Sequence, residues 1–158
     1  MIYILVALKA EAQAFVDKYK LLKYKNKDIH IIISGIGADN MKKTTENILK
    51  NIKSGDKLLN VGICGASKNY EIGQVIDGFE ENITCVDYEI STKDKYEIVD
   101  MESSGFIEAS KKFTNRYMYK VVSDHFEPKT VTKDKAKKLI FDNIDEILNL
   151  VQNDKDDL

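Results

Sequence analysis

The sequence predicts an α/β protein, a three-layer αβα sandwich around a mixed central sheet. Short apolar runs bounded by turn residues recur along the chain, and segments with helical apolar spacing separate them. Between residues 68 and 99 that rhythm lapses into short runs with turn signals and no helical pattern, which points to an antiparallel or mixed margin of the sheet.

The first run, residues 2–8, reads as a strand. A helical face of Phe15, Val16, Tyr19 and Leu22 follows, then a second run at 29–34. Met41, Thr44, Thr45, Ile48, Leu49 and Ile52 make the next helical face, and a third run covers 57–63. Strand, helix, strand, helix, strand is a βαβαβ unit, whose parallel strands need both faces buried. Residues 74–76 and 83–86 are the short strands of the margin. The stretch "IVDMESSGF" then passes from an apolar strand end into a helix carrying Phe106, Ala109 and Phe113 on one face. A strand at 117–122 follows, and the last helix aligns Ala136, Leu139, Ile140, Ile144, Ile147, Leu148 and Val151. We expect one domain over residues 1–151 and a flexible tail at 152–158, "QNDKDDL".

A chain of 158 residues, 43% of them apolar, suits a single core. The net charge of −2 mixes both signs, so no basic field exists to hold a polyanion, and no nucleic-acid partner is expected. The opening run "MIYILVAL" is too short and too poorly flanked for a membrane span or a signal peptide, so we expect a cytoplasmic protein with no membrane partner. Cys64 and Cys85 lack CxxC spacing and a nearby histidine pair, so packed thiols are expected, with no metal and no cofactor. Arg116 is the single arginine, placed by this reading at a helix end away from the crevice, and arginine is the usual fork for phosphate.

In sheets of this class, ligand-binding residues gather at the carboxyl ends of strands. "ALKAEAQAF" places Glu11 there, in the first turn of a helix, where interaction with the helix dipole also explains an acid. "SGIGADN" offers Gly35 and Gly37 for a sharp turn or a close backbone approach, with Asp39 as an N-cap. Gly62 and Gly65 of "NVGICGAS" permit the same approach, and a tight turn without a ligand explains them equally well. Asp100 reads as the N-cap of a helix beginning near Met101. Capping leaves the second acid, Glu102, unexplained, because a capping box would place it one residue later, at Ser103. Asp124 directly follows the apolar "YMYKVV", where a strand would deliver it to the crevice; an ordinary turn-starting aspartate fits as well. His30 reads as a strand-edge or packed side chain and His125 as a turn residue. Lys42, Lys43, Lys111, Lys112 and the lysines of 133–138 read as solvated helix faces.

In this order, "ILVALKAE", "SGIG", "NVGICGA", "VDMES" and "VVSD" resemble the nucleoside phosphorylase and nucleosidase superfamily, in particular its methylthioadenosine/S-adenosylhomocysteine nucleosidase branch. The resemblance spans residues 1–124 and implies a shortened nucleoside phosphorylase-like fold and a small-molecule nucleoside as ligand. It implies that Glu102 accepts hydrogen bonds from ribose hydroxyls while Met101 packs on the sugar. Asp124 is then the general acid at the purine N7 and Glu11 the carboxylate that deprotonates the attacking water. Gly37, Cys64, Gly65 and Ser123 would line the pocket. For that division of labour Asp124 needs its pKa raised by an apolar pocket and Glu11 needs to stay ionised.

The scarcity of arginine favours water over phosphate as the nucleophile, although Lys9 or Lys120 could hold phosphate as a point charge. The expected activity is therefore hydrolysis of the N-glycosidic bond of an adenosine-type nucleoside. A phosphate-dependent phosphorylase and a non-catalytic nucleoside-binding homologue are the alternatives. The segment before "VDMES", residues 79–97, is short for the loop that covers the purine in the resembled family, and a homodimer is expected to complete the site.

Overall fold

"KLLNVGICGA" is apolar on both of its alternating faces, so it belongs at the centre of a sheet covered on both sides. It forms the longest strand of the computed structural model, which describes residues 1–92 and 95–154. The elements run β1 (Ile2–Val6), α1 (Lys9–Tyr19), β2 (Ile29–Ile33), α2 (Ala38–Leu49), β3 (Lys57–Ala66), β4 (Val75–Asp77), β5 (Thr84–Cys85), β6 (Ile98–Asp100), α3 (Ser103–Ser110), β7 (Arg116–Asp124) and α4 (Lys133–Asn153). A 3-10 turn at Pro128–Thr130 precedes α4.

β1 lies between β2 and β3, all three parallel, and β7 runs parallel to β3 along its other side. The margin is mixed, as the sequence predicts: β4 pairs antiparallel with β7, and β6 pairs antiparallel with the carboxyl end of β3 through Gly65↔Val99 and Ala66↔Ile98. β5 then runs parallel to β6.

Alternate strand residues face opposite layers. Ile4, Val6, Leu59, Val61 and Val121 pack with Phe15 of α1 and Ile140, Ile144 and Ile147 of α4. Leu5, Leu58 and Met118 face the other way, against Met41 of α2 and Phe106 of α3. The layer made by α2 and α3 depends on Gly105, since a Cβ built there would stand 2.0 Å from the carbonyl oxygen of Ala38.

Several boundaries move for local reasons. The chain leaves α1 through Lys20 in the left-handed region (φ 53°), so Leu22 falls outside the helix and is 82% exposed rather than packed on its face. α4 continues through Asn153, two residues beyond the expected domain end, and residues 155–158 of the expected tail lie outside the described residues. Gly37, not Asp39, occupies the N-cap of α2, at φ 104° where a side chain would be strained. Arg116 opens β7 instead of closing a helix; its guanidinium stacks 4.6 Å from the Phe79 ring and donates to the Ile107 carbonyl. His30 packs beside Tyr3 on the outer strand pair, and His125 Nδ1 lies 3.1 Å from the Ala66 oxygen. No helix among the described residues is long and apolar enough to cross a membrane.

Candidate active site

Glu11 enters the fold in the first turn of α1, immediately after β1. The N–H groups of Ala7 and Leu8 donate to its Oε1 at 3.0 and 2.9 Å, and the N–H of Ile63 on β3 donates to Oε2 at 3.0 Å. An acid that served only the helix dipole would sit in water, whereas Glu11 is buried. Burial pushes its pKa up to about 7, against the opposing pull of the Leu8 and Ile63 amides and the Lys120 ammonium. Glu11 is therefore not held firmly ionised, as the sequence reading requires; it is poised to exchange a proton near neutrality.

The cation opposing that shift is Lys120, on β7 and 1% exposed. Its ammonium lies 3.1 Å from Asp100 Oδ2 and donates to Asn60 Oδ1 at 2.9 Å, while Asn60 Nδ2 donates to the Leu5 carbonyl. A Cβ built on Gly62 would lie 3.2 Å from both Glu11 Oε2 and Lys120 Nζ, so the two groups meet over that glycine. Burial lowers the pKa of Lys120, but Asp100, Glu102 and Glu11 together raise it above the ordinary lysine value. Lys120 is thus anchored inside the sheet rather than presented to phosphate.

Asp100 ends β6 and lies outside the cap position of α3, which Glu102 occupies. Its carboxylate still serves the helix: the Ser103 N–H donates to Oδ2 at 2.9 Å and the Ser103 hydroxyl to Oδ1 at 2.6 Å. That leaves Glu102 free of capping. Its Oε2 accepts the Gly37 N–H at 2.8 Å, and burial raises its pKa while Lys120 and that amide pull it down.

At the end of β7 the pairing with β3 slips between Cys64 and Gly65, a bulge that inserts Ser123 and turns the strand at Asp124. Asp124 Oδ1 accepts the Ser123 hydroxyl at 2.6 Å and Oδ2 accepts the Glu127 N–H at 2.8 Å. Cys64 is a free, buried thiol whose pKa burial pushes up, as suits packing rather than redox chemistry.

These residues surround a cavity of about 370 Å³ at the carboxyl ends of β1, β3 and β7. Glu11, Met101, Glu102, Asp124, Cys64, Gly65 and Ser123 all line it; Gly37 does not, and its amide is bonded to Glu102. Within residues 79–97, Val86, Tyr88 and Ile90 form part of the wall. Sequence reasoning left Lys120 as a candidate phosphate ligand and passed over Asn60. A lysine at an inward position of an otherwise apolar strand, in "YMYKVV", was the available signal for a buried charge.

No protein-family model matches the sequence, and no curated protein sequence does. Solved structures do match by shape. A 5′-methylthioadenosine/S-adenosylhomocysteine nucleosidase from Helicobacter pylori, bound to butyl-thio-DADMe-Immucillin-A, superimposes with a TM-score of 0.74 at 16% identity, over 96% of this chain and 97% of that one. The corresponding nucleosidase from S. pneumoniae, with the transition-state inhibitor MT-ImmA, gives 0.63 at 14% identity over 89% and 96%. Futalosine hydrolase of Helicobacter pylori gives 0.67 at 16% identity over 92% and 97%. The chain has the nucleoside phosphorylase/nucleosidase fold.

Proposed function

We propose that this protein is a purine nucleosidase that hydrolyses the N-glycosidic bond of an adenosine-type nucleoside. The observation that carries the reading is the convergence of Glu11, Glu102 and Asp124, from three separate parts of the chain, on one cavity of nucleoside size. The solved proteins of the same fold include nucleosidases bound to nucleoside-like inhibitors, which supports the same substrate class.

Breaking the sugar–base bond leaves its electron pair on the base and positive charge on the sugar. Asp124 donates a proton or a hydrogen bond to the purine, stabilising the leaving group. Glu102 accepts hydrogen bonds from the ribose hydroxyls, whose acidity grows with the sugar's positive charge, while Met101 packs against the ring. Water adds to the anomeric carbon and loses its proton to Glu11, giving free base and free sugar. A base with a pKa of about 7 is matched to that step at neutral pH. Lys120, bonded to Asp100 and Asn60, keeps a positive charge beside Glu11 and so raises the fraction of Glu11 that is ionised. Its commitment to those partners favours hydrolysis over phosphorolysis.

The homodimer belongs to the same reading. Ile36 and Tyr88 line the cavity yet are 55% and 69% exposed, so a second copy would complete its wall there.

The test is base release, followed by chromatography, from methylthioadenosine, S-adenosylhomocysteine, adenosine and inosine, with and without phosphate, alongside Asp124→Asn. Free purine without phosphate supports the nucleosidase. Release only with phosphate moves the assignment to a phosphorylase, and binding without release moves it to a nucleoside-binding homologue.

A further inference from the structure

β3 turns Leu59 and Val61 to the layer of α1 and α4, so Leu58, Asn60 and Gly62 share the opposite face. Asn60 stands level with Leu5 of β1 and Met118 of β7, and Gly62 stands level with Lys120. Leu5, Leu58 and Met118 make that face apolar and buried, which leaves a carboxamide at 60 to be explained. Its oxygen accepts the Lys120 ammonium at 2.9 Å and its nitrogen donates to the Leu5 carbonyl at 3.0 Å, which ties the amide to β1. On β3 the cavity wall takes in Ile63, Cys64 and Gly65 but neither Asn60 nor Gly62, so contact with a ligand does not account for them.

Stability does not account for them either, since a buried ion pair such as Lys120 and Asp100 does little better than apolar side chains of the same volume. The charge of Lys120 matters for the groups it faces, which are Asp100 from β6, Glu102 from the turn before α3 and Glu11 from α1. Cys64 faces it too, but burial pushes that thiol's pKa up and keeps it neutral. Glu11 in turn faces Lys120 as the cation and Glu102 as a like charge. Asn60 lies toward the amino end of β3, whereas Glu11, bonded to the Ile63 N–H, lies toward its carboxyl end. The ammonium is therefore drawn one way by the carboxamide and the other way by the carboxylate. Over Gly62 no side chain parts it from Glu11, because a Cβ there would stand 3.2 Å from both Glu11 Oε2 and Lys120 Nζ.

We infer that Asn60 and Gly62 are positioning residues that set the separation of the Lys120 ammonium and the Glu11 carboxylate. Asn60 keeps the ammonium from closing on Glu11, and Gly62 keeps the gap between them unfilled. The separation decides how readily Glu11 takes a proton: for charges roughly 4 Å apart at an effective dielectric constant of about 20, a change of about 1 Å moves a titration by about half a unit. The inference deepens the reading of Glu11 as the base that activates water, and rests on it for its bearing on catalysis.

The titration of Glu11 is followed by NMR on the full chain labelled with carboxyl-13C glutamate, its resonance identified by its loss in Glu11→Gln. Gly62→Ala places a methyl group between acid and cation and should raise the midpoint from about 7 by roughly half a unit. Asn60→Leu releases the ammonium toward Glu11 and should lower the midpoint by a similar amount. Leu58→Ala, two residues earlier on the same face, is the control: it costs stability as a core truncation and should leave the midpoint where it is. A midpoint unmoved in Gly62→Ala and Asn60→Leu with native circular dichroism overturns the inference, as does a shift of the same sign in all three variants. Gly62→Ala meets only side-chain ends, so an unmoved midpoint in that variant alone overturns the inference where Asn60→Leu does not fold. Base release against pH is measured in parallel. Opposite midpoint shifts without release from any nucleoside end the nucleosidase reading and keep the positioning role; release whose pH limb is the same in wild type and both variants, with unmoved midpoints, does the reverse.

Discussion

The ammonium of Lys120 lies 3.1 Å from the Asp100 carboxylate, and neither side chain is more than 1% exposed. Such a pair is not a free source of stability, because desolvating both charges offsets most of their attraction. Breaking it is another matter. Lys120→Met leaves Asp100 buried without its cation, and we expect a loss of about 3–5 kcal/mol in urea unfolding. Lys120→Met combined with Asp100→Asn should lose clearly less than the sum of the single variants. Additive losses would show that the two groups are not coupled.

Asp124→Asn separates chemistry from folding. The amide oxygen can still accept the Glu127 N–H, and the amide nitrogen can donate to Ser123 Oγ, whose hydroxyl retains the Cys64 carbonyl 3.2 Å away. Stability should therefore change by no more than about 1 kcal/mol. Base release should fall by roughly 10²–10⁴-fold, the usual contribution of a positioned acid. Full activity in this variant would remove Asp124 from the mechanism.

Much of this site was legible in the sequence because strand ends are marked by punctuation. Glu11, Glu102 and Asp124 each stand just after an apolar run, and the sheet brings such positions together. What could not be read was pairing across the sheet. Lys120 looks like any strand lysine until β3 sets Asn60 beside it and β6 delivers Asp100. The identity of the capping residues was also hidden, since Asp100 reaches Ser103 from a strand end and Gly37 displaces Asp39 through its backbone angle. β3 runs three residues beyond its apolar stretch because β6 and β7 both pair with its glycine-containing end.

Gly105→Ala should be among the most damaging small changes. The new methyl group would stand 2.0 Å from the backbone oxygen of Ala38, which no rotamer change can relieve, so α2 and α3 must move apart. A loss of about 3 kcal/mol is expected, with a lowered thermal midpoint. A variant within about 0.5 kcal/mol of wild type would mean that the two helices are less tightly held than their geometry indicates.

Glu11 links activity and stability to pH with opposite signs. Its pKa rises from 4.5 to about 7 on folding, so between those values the native state binds more protons than the unfolded chain. The stability it contributes is fully present below pH 4.5 and is lost as pH rises through 7, by up to about 3 kcal/mol. Glu102, also raised by burial, adds to the same downward slope. Lys120 does not, because its pKa lies above the ordinary lysine value of 10.5. Hydrolysis by contrast needs the ionised carboxylate, so base release should climb with pH through an ionisation near 7 while stability declines. Glu11→Gln should flatten the stability slope between pH 4.5 and 7 and abolish the activity limb. Unfolding free energies taken at half-unit pH steps for both proteins check this, the slope being compared rather than the absolute value because glutamine disturbs the amide contacts at every pH. An equal slope in Glu11→Gln would place the titration elsewhere.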